Sequence, residues 1–195
     1  DSARLLVSGG ELRAEMGGTG NTQTNGLHEL VMTGGKITCS PNGFVIGSTA
    51  NSSCTVTVSG GELSVATTLW LGNNTPSLGY LNMNGGSVST ANVVFGNNPM
   101  TQGILDISGG FLTASGYVRL GSAGTTWGDM TVRGGGDVQV TGDMQLGYGA
   151  GSQGVLKIEG GTVGCDEVIV GTTSGQGSFD MSGGTLTCAT SLRTG

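Results

Sequence analysis

The sequence predicts an all-β chain wound as a single-stranded parallel β-solenoid, a right-handed triangular β-helix of about eight coils of ~24 residues. Three observations predict it. Gly-Gly pairs begin at Gly9, Gly34, Gly60, Gly85, Gly109, Gly134, Gly160 and Gly183, at steps of 25, 26, 25, 24, 25, 26 and 23 residues. Apolar side chains hold fixed offsets around those pairs. A lone glycine follows most pairs after 11 to 13 residues, at Gly47, Gly72, Gly96, Gly121, Gly147, Gly171 and Gly195.

Each coil divides into three short strands. The first ends at the pair, with Leu5, Leu30, Val56, Leu81, Leu105, Met130, Leu156 and Phe179 four residues before it. Val7, Met32, Val58, Met83, Ile107, Val132, Ile158 and Met181 stand two before it. The second strand follows the pair, with Leu12, Ile37, Leu63, Val88, Leu112, Val163 and Leu186 three after it. Val138 is displaced by one through the run Gly134-Gly135-Gly136. The third strand ends at the lone glycine, as in Val118 and Leu120 or Val168 and Val170; coil one breaks this rule before Gly20. Alternation of apolar and polar residues marks strands with one buried face. Gly-Gly supplies a bend that a Cβ resists. Polar loops such as 73–79 and 148–154 lead to the next coil.

The period excludes other repeat folds. Propeller blades need about 40 residues, hexapeptide coils about 18 per turn, and leucine-rich repeats an asparagine ladder that is absent. Glycine, 41 of 195 residues, has displaced charge rather than core: 10% of the chain is charged but 35% is hydrophobic, which argues against disorder. The whole chain, 1–195, reads as one solenoid domain.

A net charge of −6 and seven scattered basic residues disfavour nucleic acid, and no apolar run approaches a membrane span. The chain begins with neither an initiator Met nor a signal peptide, so a processed chain or an excised segment is expected.

Runs such as 103–113 (GILDISGGFLT) and 154–163 (GVLKIEGGTV) resemble secreted bacterial β-helix repeats, those of autotransporter passengers and of surface proteins with sorting signals. The resemblance covers the chain, and what it implies is a coil, an extracellular or cell-surface location and a group of adhesins, scaffolds and a minority of enzymes. No sorting signal or outer-membrane barrel segment accompanies it here.

Neither end carries a cap, and the repeat stays in phase across them. Twelve residues from Gly183 to the end and nine more to Gly9 make a step of 21, short only in the loop. Head-to-tail stacking of copies into an open filament is therefore expected, through Arg4, Leu5, Leu6, Val7 and Leu12 at one end and Leu186, Ser191, Leu192, Arg193 and Gly195 at the other. Eight coils excised from a longer solenoid is the alternative.

Cys165 and Cys188 share the offset five after the first glycine of adjacent pairs, and stacked strands lie about 4.8 Å apart, within reach of a disulfide. Cys39 has Ala14 and Val65 as stacked neighbours, which leaves Cys54 as its partner across the Gly47 loop. Two disulfides, Cys39–Cys54 and Cys165–Cys188, are expected, against four buried thiols.

Catalytic candidates are sparse. Asp106 and Asp180 share an offset three coils apart, Glu11 and Glu62 are separated by Lys36, and His28 is the only histidine, expected in the loop before a strand. No catalytic residue, cofactor or metal ligand is assigned. Trp127, Tyr148, Trp70, Phe111 and Tyr117 project from loops or outward offsets, as Arg119 and Arg133 do, so extracellular glycans join a second copy of the chain as candidate partners. The expected function is a structural filament subunit, with an adhesin or glycan-binding stalk second and a polysaccharide-active enzyme third.

Overall fold

A computed structural model describes residues 3–14, 27–41, 43–172 and 174–195. The lone glycine expected in coil one, Gly20, lies outside them. Every regular element described is a strand. The chain enters through β1 (Ala3–Val7) and β2 (Glu11–Ala14), and then long and short strands alternate. β3 (Leu27–Cys39), β5 (Ser52–Val65), β7 (Ser77–Thr90), β9 (Gln102–Ala114) and β11 (Trp127–Val140) are long. β4 (Phe44–Ile46), β6 (Thr68–Leu71), β8 (Asn92–Phe95), β10 (Val118–Leu120) and β12 (Met144–Leu146) are short. In β13 (Gln153–Val170) and β14 (Gln176–Thr194) the whole coil is one continuous strand.

All pairings are parallel, and the first-face rungs run in the order β1-β3-β5-β7-β9-β11-β13-β14. Eight rungs enclose about seven turns of some 25 residues, which is the β-solenoid the period predicts. The first and second strands of the sequence reading run on as one long strand, with the register interrupted at the Gly-Gly corner and resumed beyond it. His28, expected in a loop, lies within β3.

The bend rests on the second glycine of each pair, with φ of 67 to 86° at Gly10, Gly35, Gly61, Gly86, Gly110, Gly161 and Gly184. At Gly110 an added Cβ would stand 2.5 Å from the Gly86 carbonyl oxygen, so conformation and space both require glycine there. Coil six departs. Register sets Gly135 and Gly136 opposite Gly109 and Gly110, and the positive φ moves to Gly134. The extra residue is absorbed before the corner, and Val138 still stacks on Leu112.

The core is a set of axial columns. Leu5, Leu30, Val56, Leu81, Leu105, Met130, Leu156 and Phe179 are consecutive register partners, as are Val7 to Met181 and Leu12 to Leu186. The short strands add Phe44, Leu69, Val93, Val118, Met144, Val168 and Leu192. From coil three to coil seven these residues are essentially without solvent exposure. Stacking equivalent residues fills the interior with no helix or second sheet to cover it.

No disulfide forms among the described residues, which corrects both expected bonds. Cys39 closes the second face between Ala14 and Val65, whereas Cys54 opens the first face between His28 and Gly79, so the two belong to different columns. Cys165 and Cys188 do stack in register, but their sulfurs are 3.9 Å apart, a thiol contact well beyond the bond length of about 2.05 Å.

Candidate functional site

The two axial ends differ from the body. In the body the inward columns are closed above and below, but at the ends they open. Leu5 is 47% exposed, Leu12 40%, Met181 42% and Leu192 49%, although each is a member of a core column. Val7 is buried, and Phe179, Leu186 and Cys188 are half-covered against the core. Leu6 points outward and is exposed at 55%. Among the described residues β1 pairs with β3 alone and β14 with β13 alone, so each presents a free strand edge.

The glycine corner repeats this asymmetry. A Cβ on the first glycine of most inner pairs meets the carbonyl oxygen of the coil before it, 2.6 Å at Gly34 from Ser8, 2.5 Å at Gly60 from Thr33 and 2.7 Å at Gly183 from Glu159. Around the irregular corner of coil six, Gly160 instead meets the Gly134 amide nitrogen at 3.0 Å and Gly135 meets nothing within 4 Å. At Gly9 it meets nothing within 4 Å. Gly9 is the corner's docking position without a coil docked on it.

The polar residues assigned to the ends are tied inward. Arg4 Nε lies 2.9 Å from Glu29. Arg193 Nε donates to Glu167 at 2.8 Å, Ser191 donates to the same carboxylate, and the Gly195 amide donates to the Val170 carbonyl at 3.2 Å. The bonds from Arg193, then Ser191, hold the Glu167 carboxyl below its usual range.

Charge on the outer surface is arranged as rung-to-rung pairs. Lys36 bonds Glu62 at 2.9 Å, Arg133 Nε bonds Asp106 at 2.9 Å, and Lys157 reaches Asp129 at 3.3 Å; Arg13 pairs within its own strand with Glu11. Six of the seven basic residues thus have a carboxylate partner. Arg119 is the exception among the described residues.

Arg119 stands on the third face, in the outward column Val45, Trp70, Val94, Arg119, Gln145, Ile169 and Arg193. Its guanidinium carbon lies 4.0 Å from the Tyr117 ring centroid and 3.8 Å from that of Tyr148. Its Nε donates to Gln145 Oε1 at 2.8 Å. The sequence singled out each of these aromatic residues separately. Their meeting depends on Tyr148 following the lone glycine one coil later, which only the stacking register brings back to Arg119.

Two open troughs, of about 530 and 410 Å³, run along the corner between the second and third faces and share Gln139, Val140 and Thr141. Their walls are small side chains, such as Ala66, Ala91 and Ser115, and Asp166 is their one charge. No group of three or more His, Cys, Asp or Glu able to hold a metal ion occurs among the described residues. Comparison with family models, curated proteins and solved structures finds no match to this chain.

Proposed function

We propose that this chain is an extracellular structural protein, a rigid β-solenoid that lengthens by head-to-tail stacking of copies into a filament or matrix fibre. The observation that carries this reading is the pair of open end faces. Phe179, Met181 and Leu186 on one face continue the same columns that Leu5, Val7 and Leu12 begin on the other. Stacking buries these side chains and pairs the edge of β14 with that of β1 in the parallel sense used throughout.

The outward charges suit the same junction. Asp180 makes no ion pair among the described residues. In the stacked register it faces Leu6 of the next copy, two residues from Arg4, on the opposite diagonal to the Asp106–Arg133 pair inside the chain. The occupant proposed for each end is therefore a second copy.

Gly9→Ala tests this. The added methyl meets nothing in the isolated chain, yet at a junction it would meet the Ser182 carbonyl of the preceding copy, as a Cβ on Gly34, Gly60, Gly85, Gly109 or Gly183 meets that of the coil before it. The unmodified protein should sediment as concentration-dependent oligomers, and Gly9→Ala as a monomer of the same thermal stability. Monodisperse monomers of the unmodified protein at every concentration would reject the filament.

A second reading, an adhesin or stalk segment within a longer surface protein, draws support from the exposed Trp127 and Tyr148. There, further coils of the same chain take the place of the second copy, and the outer faces supply the activity.

A further inference from the structure

From the Arg119 cluster we infer a binding site for the carboxylate of an acidic sugar, on the third face of the solenoid at coils five and six. The inference rests on the glycan-binding reading and is independent of filament formation.

Arg119 is held without being neutralised. The two tyrosine rings fix the plane of the guanidinium and compensate part of its charge by cation–π attraction. Gln145 consumes one donor, Nε. The terminal amino groups, Nη1 and Nη2, have no acceptor among the described residues. What remains is a half-buried, two-pronged donor in a protein where every other cation has its own acid. A planar carboxylate takes such a fork through two parallel bonds.

The surroundings select among anions. One cation matches one negative charge. A phosphodiester backbone or a heavily sulfated chain demands a cluster of bases, and the net charge of −6 repels it. The neighbours along the column favour a sugar over a peptide. Trp70 lies two rungs from Arg119, about 10 Å at the rung spacing, with the buried Val94 between them. From Trp70 to Ile169 that column holds no other charge. A single fork between the Tyr117 and Tyr148 rings, in a stretch of column with no other charge, suits a chain of rings carrying hydroxyls at their edges and an occasional carboxylate. A largely neutral polysaccharide with an occasional uronic acid is that chemistry.

The test is an NMR titration of the purified chain with an otherwise neutral trisaccharide bearing a single uronic acid, following Arg119 Nε–H and the rings of Tyr117 and Tyr148. Maltotriose, a sulfated galactose oligosaccharide and a glutamate tripeptide are the comparison probes. The expected result is saturable shifts at these three residues with the uronate alone. Arg119→Gln and Arg119→Lys should each weaken binding by about tenfold or more, since lysine keeps the charge but loses the fork. Lys36→Gln, which removes the same charge elsewhere, should not. Equal or tighter binding of the sulfated sugar or the peptide overturns the assignment, as does an undiminished affinity in Arg119→Lys. No shift with any probe removes the site, while a Gly9→Ala variant that still titrates shows that site and stacking are separate.

Discussion

Cys165 and Cys188 occupy facing positions on adjacent rungs with their sulfurs 3.9 Å apart, one buried and the other half-exposed at the open end. They are stacked thiols, packed as small apolar side chains are. Titration with a thiol reagent under denaturing, non-reducing conditions should therefore return four thiols per chain. In the native protein Cys188 should react ahead of Cys165. Recovery of two thiols or none would contradict the arrangement.

Those thiols also set an alkaline limit. Burial pushes Cys39 up to about 11; burial, and then the neighbouring Cys188, pushes Cys165 up to about 12. Both ordinary values are 9.0, so between pH 9 and pH 11 to 12 the unfolded chain releases protons that the folded chain keeps. Stability is fully present below pH 9 and falls as pH rises through that window, by up to about 1.4 kcal/mol per pH unit per thiol. Urea denaturation across pH 8 to 11 should show the decline. Cys39→Ala should flatten it, and an unchanged slope would exclude Cys39 as its source.

The glycine corner yields a contrast between two positions of one motif. Gly110 has φ 86° and its Cβ site lies 2.5 Å from the Gly86 oxygen, so Gly110→Ala should cost more than about 2 kcal/mol. Gly9 carries neither constraint, and Gly9→Ala should leave the melting temperature of the isolated chain unchanged. Equal losses at the two would mean that glycine serves the corner through sequence propensity alone.

The columns were legible because their cause is local. Alternation around each Gly-Gly pair places Leu81 and Met83 inward whatever the rest of the chain does, and the period places their counterparts above and below. Coil six was legible only in part. Three consecutive glycines offer two equivalent pairs, and the choice of Gly135-Gly136 is made by β9, whose Gly109 and Gly110 they must face. The cysteines failed for a related reason. Matching offsets bring two residues onto one column, but whether sulfurs bond or merely touch depends on rotamers that offset does not determine. The Arg119 cluster was hidden because Tyr148 reaches it from a loop, where no alternation constrains direction.

Tyr80 reports on the outer charge ladder. Its phenol is raised above the usual value first by burial and then by Asp106, while Arg133 pulls the other way. Asp106 in turn is held by Arg133. Asp106→Asn should lower the Tyr80 pKa and Arg133→Gln should raise it further, read from the ring-carbon shift of labelled tyrosine against pH. If both changes leave Tyr80 unmoved, burial alone sets its titration.

One column offers a measure of how the solenoid distributes its stability. Leu105 lies in mid-stack at 1% exposure and Leu5 at the open end at 47%, in equivalent positions of the same inward row. Leu105→Ala leaves a cavity between Leu81 and Met130 and should cost about 2–5 kcal/mol. Leu5→Ala removes a half-solvated side chain with one stacked neighbour and should cost under about 1 kcal/mol in the dissociated chain. Under conditions where copies stack, the same Leu5 becomes an interior residue of a continuous column. Its substitution should then weaken assembly as well, so the two penalties converge as protein concentration rises. A Leu5→Ala penalty that is independent of concentration would show that nothing covers this end in solution.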